Sequence, residues 1–139
     1  MGSRTTSPAT PEIPTLTQLA RRVHAKADES RLRVNLKQLY ILRELRDTGS
    51  LPQNSICIMM RTTANTVVAW LNELEAEGFV ERVRDPDDRR KHNVALTRTG
   101  LDVLENAERY LFHVEEEVLS PLTPEERTQL RKLVAKALV

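Results

Sequence analysis

Three consecutive cations, Arg89, Arg90 and Lys91, follow an Asp-Pro-Asp-Asp segment at residues 85–88. That segment is typical of a tight turn, so the cations are expected at an exposed tip. Clustered Lys and Arg side chains bind nucleic-acid phosphates by releasing counterions. A solvated turn would explain the same run, but its place after a helix of groove size favours contact with DNA.

The helix before this tip has a face suited to base edges in a major groove. Its apolar residues recur at i, i+3, i+4 and i+7, the spacing of a buried stripe, and are Val67, Trp70, Leu71 and Leu74. Thr63 is the predicted N-cap and Gly78 the predicted end. The remaining residues are small or uncharged, which suits contact with base edges in a major groove. An ordinary solvated face would explain them as well. They are Ala64, Asn65, Thr66, Val68, Ala69 and Asn72.

Two flanking elements complete a helix-turn-helix with a wing. A short helix starting near Pro52 carries an apolar patch of Ile56, Met59 and Met60. Only Arg61 and Thr62 separate it from the next helix, and so short a turn makes two helices cross steeply. Arg61, at this junction, is a candidate for phosphate contact. Residues 80–84 and 92–97 alternate as strands do, which predicts a β-hairpin whose tip holds the three cations.

Motifs across residues 35–100 resemble the core of the MarR (multiple antibiotic resistance regulator) family. The pattern comprises Ile56-Cys57, Thr63, Thr66-Val67, Leu74-Glu75, Gly78-Phe79-Val80, Arg82, Asp85-Pro86, Asp88-Arg89-Arg90, Leu96-Thr97 and Gly100. The resemblance implies a dimeric winged helix-turn-helix transcription factor that binds palindromic DNA. Such a factor is usually a repressor released by a small molecule.

The resemblance also implies that Arg90 enters the minor groove, held by Asp88 two residues earlier. A guanidinium gains attraction in a narrow, negatively charged groove without a unique base code. In the major groove we expect base-edge contacts from Thr63, Asn65, Thr66, Val68 and Ala69. Ala69 stands where relatives of the family often carry a basic residue. We therefore expect it to contact the groove through its shape or through methyl groups and not to bind phosphate.

The composition limits the class of protein. The 139 residues fit one domain, and 21 basic residues nearly balance 20 acidic ones. The charge is segregated, since residues 4–46 hold nine cations and four anions whereas residues 101–120 hold one cation and six anions. A single cysteine excludes an intramolecular disulfide. With no apolar run of membrane length and no signal segment, we expect a cytoplasmic protein without a membrane partner.

The expected fold class is mainly α (α+β), a winged helix-turn-helix with a small β-hairpin wing and N- and C-terminal dimerisation helices. Residues 1–14, rich in Ser, Thr and Pro, predict a flexible arm. Residues 15–139 predict one domain, with the reading head at about 35–100 and dimerisation helices at about 15–30 and 99–139. A two-fold homodimer would place two recognition helices one DNA turn apart and match a palindrome.

Local signals predict where three of these helices start. Asn35 and Thr123 begin capping boxes, with a Gln and a Glu three residues later. For the first helix, Thr15 or Thr17 is expected near the cap.

A small-molecule pocket is expected, by the resemblance, between the dimerisation helices and the reading head. Arg21, Arg22, His24 and Tyr40 could supply cationic, hydrogen-bonding and aromatic contacts to an aromatic or phenolic acid. Arginines on an amphipathic helix are more often simply solvated.

Two other groups carry weaker signals. Cys57 would be a redox switch if exposed as a thiolate, but apolar neighbours predict a small buried thiol. His113 with Glu116 and Glu117 has helical spacing for a metal, yet one histidine and two carboxylates make a weak site that a solvated acidic face also explains. We therefore expect neither a metal nor a cofactor.

The sequence predicts a sequence-specific DNA-binding regulator, most simply a dimeric repressor released by a ligand. One rival is a winged-helix interaction module that uses its terminal helices on a protein partner without specific DNA binding. Another is a redox-sensing regulator acting through Cys57. An enzyme is disfavoured, because the four glycines form no phosphate-binding loop or nucleophile elbow and no histidine pair is closely spaced.

Overall fold

The computed structural model describes residues 11–139, so residues 1–10 of the arm predicted at residues 1–14 lie outside them. The elements in chain order are α1 (Ile13–Lys26), a 3₁₀ turn (Glu29–Arg31), α2 (Leu36–Thr48), β1 (Ser50–Pro52), α3 (Gln53–Met60), α4 (Ala64–Ala76), β2 (Val80–Arg84), β3 (His92–Leu96), α5 (Arg98–Val118) and α6 (Pro124–Ala137). They divide into two units, one built from the chain up to Asp28 with Phe112–Val139 and one from Glu29–Leu111. Within residues 11–139 no helix has the length and apolar character to cross a membrane.

The core of the second unit lies among α2, α3, α4, the sheet and the start of α5. Its fully buried side chains include Leu42 of α2, Ile56 of α3, Leu71 of α4, Val94 of β3 and Leu104 of α5. Each contributes about 1.5–3 kcal/mol by leaving water. The predicted apolar stripe of α4 is confirmed, and Trp70 is half-buried against the same core.

The sheet has three antiparallel strands in the order β1-β3-β2. Val94, in the central strand, pairs with Leu51 on one side and with Arg82 on the other. The predicted hairpin of β2 and β3 is therefore present. Sequence patterns do not predict β1, because three residues ending in a proline have no strand period of their own. This strand exists through its pairing with β3.

The predicted helix ends at α4 are confirmed. Thr63 caps its start, with the hydroxyl accepting from the backbone N–H of Thr66 at 3.3 Å. Gly78 has φ +77°, a left-handed conformation that favours glycine. The N–H groups of Gly78 and Phe79 donate to the carbonyls of Glu75 and Leu74 at 3.0 and 2.9 Å, which is the Schellman pattern.

Two capping boxes are also confirmed, at Asn35 with Gln38 and at Thr123 with Glu126. The start of α1 was predicted wrongly. That helix begins at Ile13 with Pro14 in its first turn, so the arm cannot extend to Pro14. Thr17 lies inside the helix, where its hydroxyl donates to the carbonyl of Ile13 at 2.9 Å.

Thr97 was predicted as a strand residue, but β3 ends at Leu96 and Thr97 caps α5. Its hydroxyl donates to the carbonyl of Gly78 at 2.5 Å and accepts from the N–H of Gly100 at 3.0 Å. A Cβ atom on Gly100 would lie 2.0 Å from the carbonyl oxygen of Phe79. The Leu-Thr-x-x-Gly string therefore holds the start of α5 against the end of α4.

The first unit contains α1, the end of α5 and α6. Ala27 and Val114 are buried in it, whereas α6 buries no residue. Several large apolar side chains remain exposed, namely Ile13, Leu16, Phe112, Leu133, Val134 and Leu138. Apolar helical faces of this kind are typical of surfaces that pack against another chain.

Candidate nucleic-acid interface

Helix α4 presents an uncharged face directly opposite its buried stripe. Asn65, Ala69, Asn72 and Ala76 recur at i, i+4, i+7 and i+11, and all four are exposed. Thr66 and Val68 flank this face and are half-buried. Of the predicted base-contacting residues in α4, Asn65 and Ala69 are thus accessible, whereas Thr66 and Val68, at the edges of the face, are only partly accessible.

The hydroxyl groups of Thr63 and Thr66 lie 2.8 Å apart. Because the Thr63 oxygen also accepts the backbone N–H of Thr66, its first role is to start the helix. Thr63 is nevertheless exposed, and Arg61 before it is exposed in a left-handed conformation with φ +49°. Arg61 ends α3 and leaves its side chain at the helix junction, as predicted for a phosphate contact.

A side-chain network joins α4 to the wing strand β2. The Arg82 guanidinium donates to both carboxylate oxygens of Glu75, at 3.0 and 3.3 Å, and to the amide oxygen of Asn72 at 2.6 Å. Hydrogen bonds from Arg82, helped by its positive charge, hold the pKa of Glu75 below its ordinary value. In the sequence, Glu75 and Arg82 stand out only as parts of a motif, and no local pattern predicts their contact.

Asp85 organises the wing tip. One carboxylate oxygen accepts the backbone N–H groups of Asp87 and Asp88 at 2.8 and 3.3 Å, and the other accepts from the amide of Asn93 at 3.5 Å. The hydrogen bond from the Asp87 N–H is the main cause of the lowered pKa of Asp85. The backbone N–H of Asp85 donates to the carbonyl of Lys91 at 2.9 Å, closing the loop.

The three predicted cations lie at this tip. Arg89, Arg90 and Lys91 are all exposed. Asp88 does hold Arg90, but through the main chain, since its carboxylate accepts the backbone N–H of Arg90 at 3.0 Å. The expected orienting contact to the guanidinium is therefore corrected to a contact that fixes the backbone beneath it.

The remaining candidates, Cys57 and the group at His113, do not form a site within residues 11–139. Cys57 is half-buried rather than fully buried, which corrects the predicted environment of the thiol. His113 and Glu116 are exposed, and Glu117 lies 3.7 Å from Lys26. Over residues 11–139, no group of three His, Cys, Asp or Glu side chains is arranged to hold a metal.

The predicted ligand-binding residues belong to two different units. Arg21, Arg22 and His24 are exposed on α1 in the first unit. Tyr40 is half-buried on α2 in the second unit, with the Arg43 guanidinium 5.0 Å from the centre of its ring. That aromatic face already carries a cation.

An exposed, uncharged helical face suits the base edges of a major groove, and the cationic tip of the hairpin beside it complements the negative phosphate backbone. This combination defines a winged helix-turn-helix protein of the DNA-binding class.

Comparison with known proteins identifies the family. The MarR family model matches residues 34–92. The transcriptional regulator HosA of Escherichia coli O111:H- is 31% identical over 99 residues, which cover 71% of this chain and 73% of HosA. PecS, an HTH-type transcriptional regulator of Dickeya dadantii, is 27% identical over 110 residues, but these span only 66% of PecS. The chain belongs to the MarR family of transcriptional regulators, and its relatives are not enzymes.

Solved structures agree with this assignment. A protein from Pseudomonas aeruginosa is 28% identical, with a TM-score of 0.74 over 88% of this chain and 93% of that one. A mutant of E. coli MarR in complex with operator DNA shares the fold at 24% identity and a TM-score of 0.68, over 96% of this chain and all of that one. Bordetella bronchiseptica BpsR, whose DNA binding is described as regulated by 6-hydroxynicotinic acid, has 24% identity and a TM-score of 0.72 over 89% and 96% of the two chains.

Proposed function

We propose that this protein is a dimeric repressor that binds a palindromic operator and leaves it when a small aromatic acid binds. The observation that carries the DNA-binding part is the exposed face of α4 beside the cationic tip at Arg89, Arg90 and Lys91. In this proposal α4 lies in the major groove and Arg90 enters the adjacent minor groove. In this proposal the protein acts in the cytoplasm, because a regulator must meet its operator on the chromosome.

Dimer formation is supported by the apolar residues of the first unit. Ile13 is 73% exposed and Leu138 is 69% exposed, and water contact at such side chains is unfavourable. A two-fold partner that covers these helices would also present two copies of α4 to one duplex. Sedimentation at rising protein concentration tests this, and a monomer at all concentrations would contradict it.

The effector part of the proposal has separate support. BpsR, a protein of the same fold, is described as responding to an aromatic acid. Arg21, Arg22, His24 and Tyr40 stay the sequence-based candidates for binding such a ligand. A ligand releases DNA only if it binds the DNA-free conformation more tightly than the DNA-bound one. Calorimetry with aromatic acids on wild type and Arg21→Ala tests this, and equal heats would remove Arg21 from the site.

The DNA-binding part is tested with duplexes selected from a random pool. Wild-type affinity should fall steeply as salt rises, because phosphate contacts release counterions. Arg90→Ala should weaken binding and reduce the salt slope by about one. Arg109→Ala is the matched control, because it also removes one exposed cation, on α5. It should leave both the affinity and the salt slope unchanged. A wild-type protein that prefers no sequence over random DNA would overturn the proposal.

A further inference from the structure

Asn72 occupies the groove-facing stripe of α4 but differs from Asn65 in its hydrogen bonding. It lies seven residues beyond Asn65, about two helical turns or 10 Å along the same face. Both residues are exposed. Asn72 alone is bound by the wing strand, because the Arg82 guanidinium donates to its side-chain oxygen at 2.6 Å.

The chemistry of the pair fixes which way the amide points. A guanidinium has only donors, so it can meet only the oxygen of the Asn72 amide and never its NH₂ group. Two further hydrogen bonds to Glu75, at 3.0 and 3.3 Å, hold the Arg82 side chain in place. Within residues 11–139, the NH₂ group of Asn72 donates to no other protein atom. Asn72 therefore presents its NH₂ donor to its surroundings while its oxygen is held by Arg82.

This orientation changes what an asparagine can recognise. A free Asn amide pairs with adenine through two hydrogen bonds, accepting from N6 and donating to N7. The Arg82 guanidinium takes one of the two lone pairs of the Asn72 oxygen and lies beside it, so adenine N6–H₂ would have to approach that oxygen next to a cationic donor. This disfavours the two-bond contact with adenine. Guanine offers two acceptors in the major groove, N7 and O6, and thus suits an amide that acts mainly as a donor.

We propose that Asn72 is a specificity-determining residue that reads guanine in each operator half-site as a hydrogen-bond donor, with Arg82 as the positioning residue that occupies its oxygen. The inference rests on the proposed binding of operator DNA by α4. It adds a base contact in the third turn of the helix to the five expected from the sequence, and it makes the wing strand part of the base-reading apparatus.

The test selects duplexes from a library with a randomised core, using wild type, Asn72→Ala and Arg82→Met. Wild type is expected to enrich guanine at one position of each half-site. Asn72→Ala should lose that preference alone, with discrimination at the position falling roughly five- to tenfold. Arg82→Met removes the donors but keeps an unbranched chain, so the freed amide should shift the preference to adenine.

Several outcomes would overturn the proposal. If Asn72→Ala selects the wild-type sequences and only binds all of them more weakly, Asn72 contacts phosphate instead of a base. If wild type itself enriches adenine at the position that depends on Asn72, the bond from Arg82 does not keep the amide oxygen from accepting adenine N6. Should Arg82→Met fail to fold, the wild-type and Asn72→Ala selections still decide between these results. A wild type that enriches nothing would refute the proposed function itself, which is a distinct result.

Discussion

The guanidinium of Arg82 donates two hydrogen bonds to the carboxylate of Glu75, at 3.0 and 3.3 Å, and ties the wing strand to the recognition helix. The backbone N–H of Arg82 donates to the same carboxylate at 3.2 Å. The base of the hairpin is held by the pairing of β3 with β1 and by the buried Val94, and these contacts add a hold on β2 at the side facing α4. The ion pair therefore helps to set the spacing between α4 and the cationic tip.

Glu75→Gln should weaken operator binding several-fold while reducing stability only slightly. Glu75 is 41% exposed in its side chain, and an exposed ion pair is worth about 0.2–1 kcal/mol. Glu81→Gln, an exposed neighbour of Arg82 on β2, is the matched control and should change neither quantity. Fluorescence anisotropy and urea unfolding measure the two effects. Equal operator affinities for the two variants would show that the pair does not set the position of the wing.

Acid should destabilise the protein partly through the same carboxylate. The pKa of Glu75 is lowered from 4.5 by Arg82, so its stabilising contribution is complete above that value and is lost as pH falls through the lower folded-state pKa. Thermal unfolding from pH 6 to pH 3 should thus show a shallower loss for Glu75→Gln than for wild type. Parallel curves would contradict the assignment. The lowered pKa values of Asp85 and Glu126 add to the wild-type slope in the same direction.

Asp85→Ala should reduce DNA affinity more than Asp87→Ala does. Both changes remove one negative charge from the wing tip, which by itself favours DNA binding. Only Asp85 also accepts the backbone N–H groups that shape the turn. The loss of order at the tip should outweigh the gain in charge, giving weaker binding for Asp85→Ala and equal or tighter binding for Asp87→Ala. Gel-shift titration compares the DNA affinities of the two variants. Tighter binding by both would show that the ordered turn at Asp85 does not contribute to DNA affinity.

Gly100→Ala should destabilise the fold by about 1–3 kcal/mol, as over-packing does. The new methyl group would lie 2.0 Å from the Phe79 carbonyl oxygen and 2.8 Å from the Leu96 side chain. Gly49→Ala is the comparison, since a Cβ there meets nothing within 4 Å and carries only the strain of φ +94°. Urea unfolding should rank Gly100→Ala as the less stable variant. The reverse order would mean that α5 shifts to accommodate the methyl group.

Wild type and Cys57→Ser should both retain DNA binding after treatment with hydrogen peroxide. The thiol is half-buried and, like Met59 and Met60, packs against the core, so oxidation is not expected to reach it readily. If peroxide released wild type from DNA but left Cys57→Ser bound, a redox-sensing regulator would be the better description. Mass spectrometry of the treated proteins identifies the oxidised residue.

The elements that sequence predicts well are those whose signals are local. Val67, Leu71 and Leu74 repeat with the helical period, and Thr63 and Gly78 mark the two ends of α4 within a single stretch of chain. The capping boxes of α2 and α6 are equally local. For the same reason, the strand pattern and the turn residues place the cationic tip on a hairpin from sequence alone.

Features that depend on distant partners could not be predicted in this way. Strand β1 acquires its conformation from β3, more than forty residues later in the chain. Thr97 alternates like a strand residue, yet its bonds to Gly78 and Gly100 make it a helix cap. The Asn72 contact with Arg82 needs the angle between α4 and β2, which no periodicity encodes.

The closure of the wing tip has a consequence for how such regulators diverge. Arg84 and His92 form the last pair of β2 and β3. The backbone hydrogen bond from Asp85 to Lys91 closes the loop immediately beyond that pair. Insertions or deletions between Asp85 and Lys91 leave the β2–β3 pairing and the buried Val94 undisturbed. The wing can therefore become longer or shorter during evolution, which changes how far it reaches along the duplex without affecting the folding of the rest of the chain.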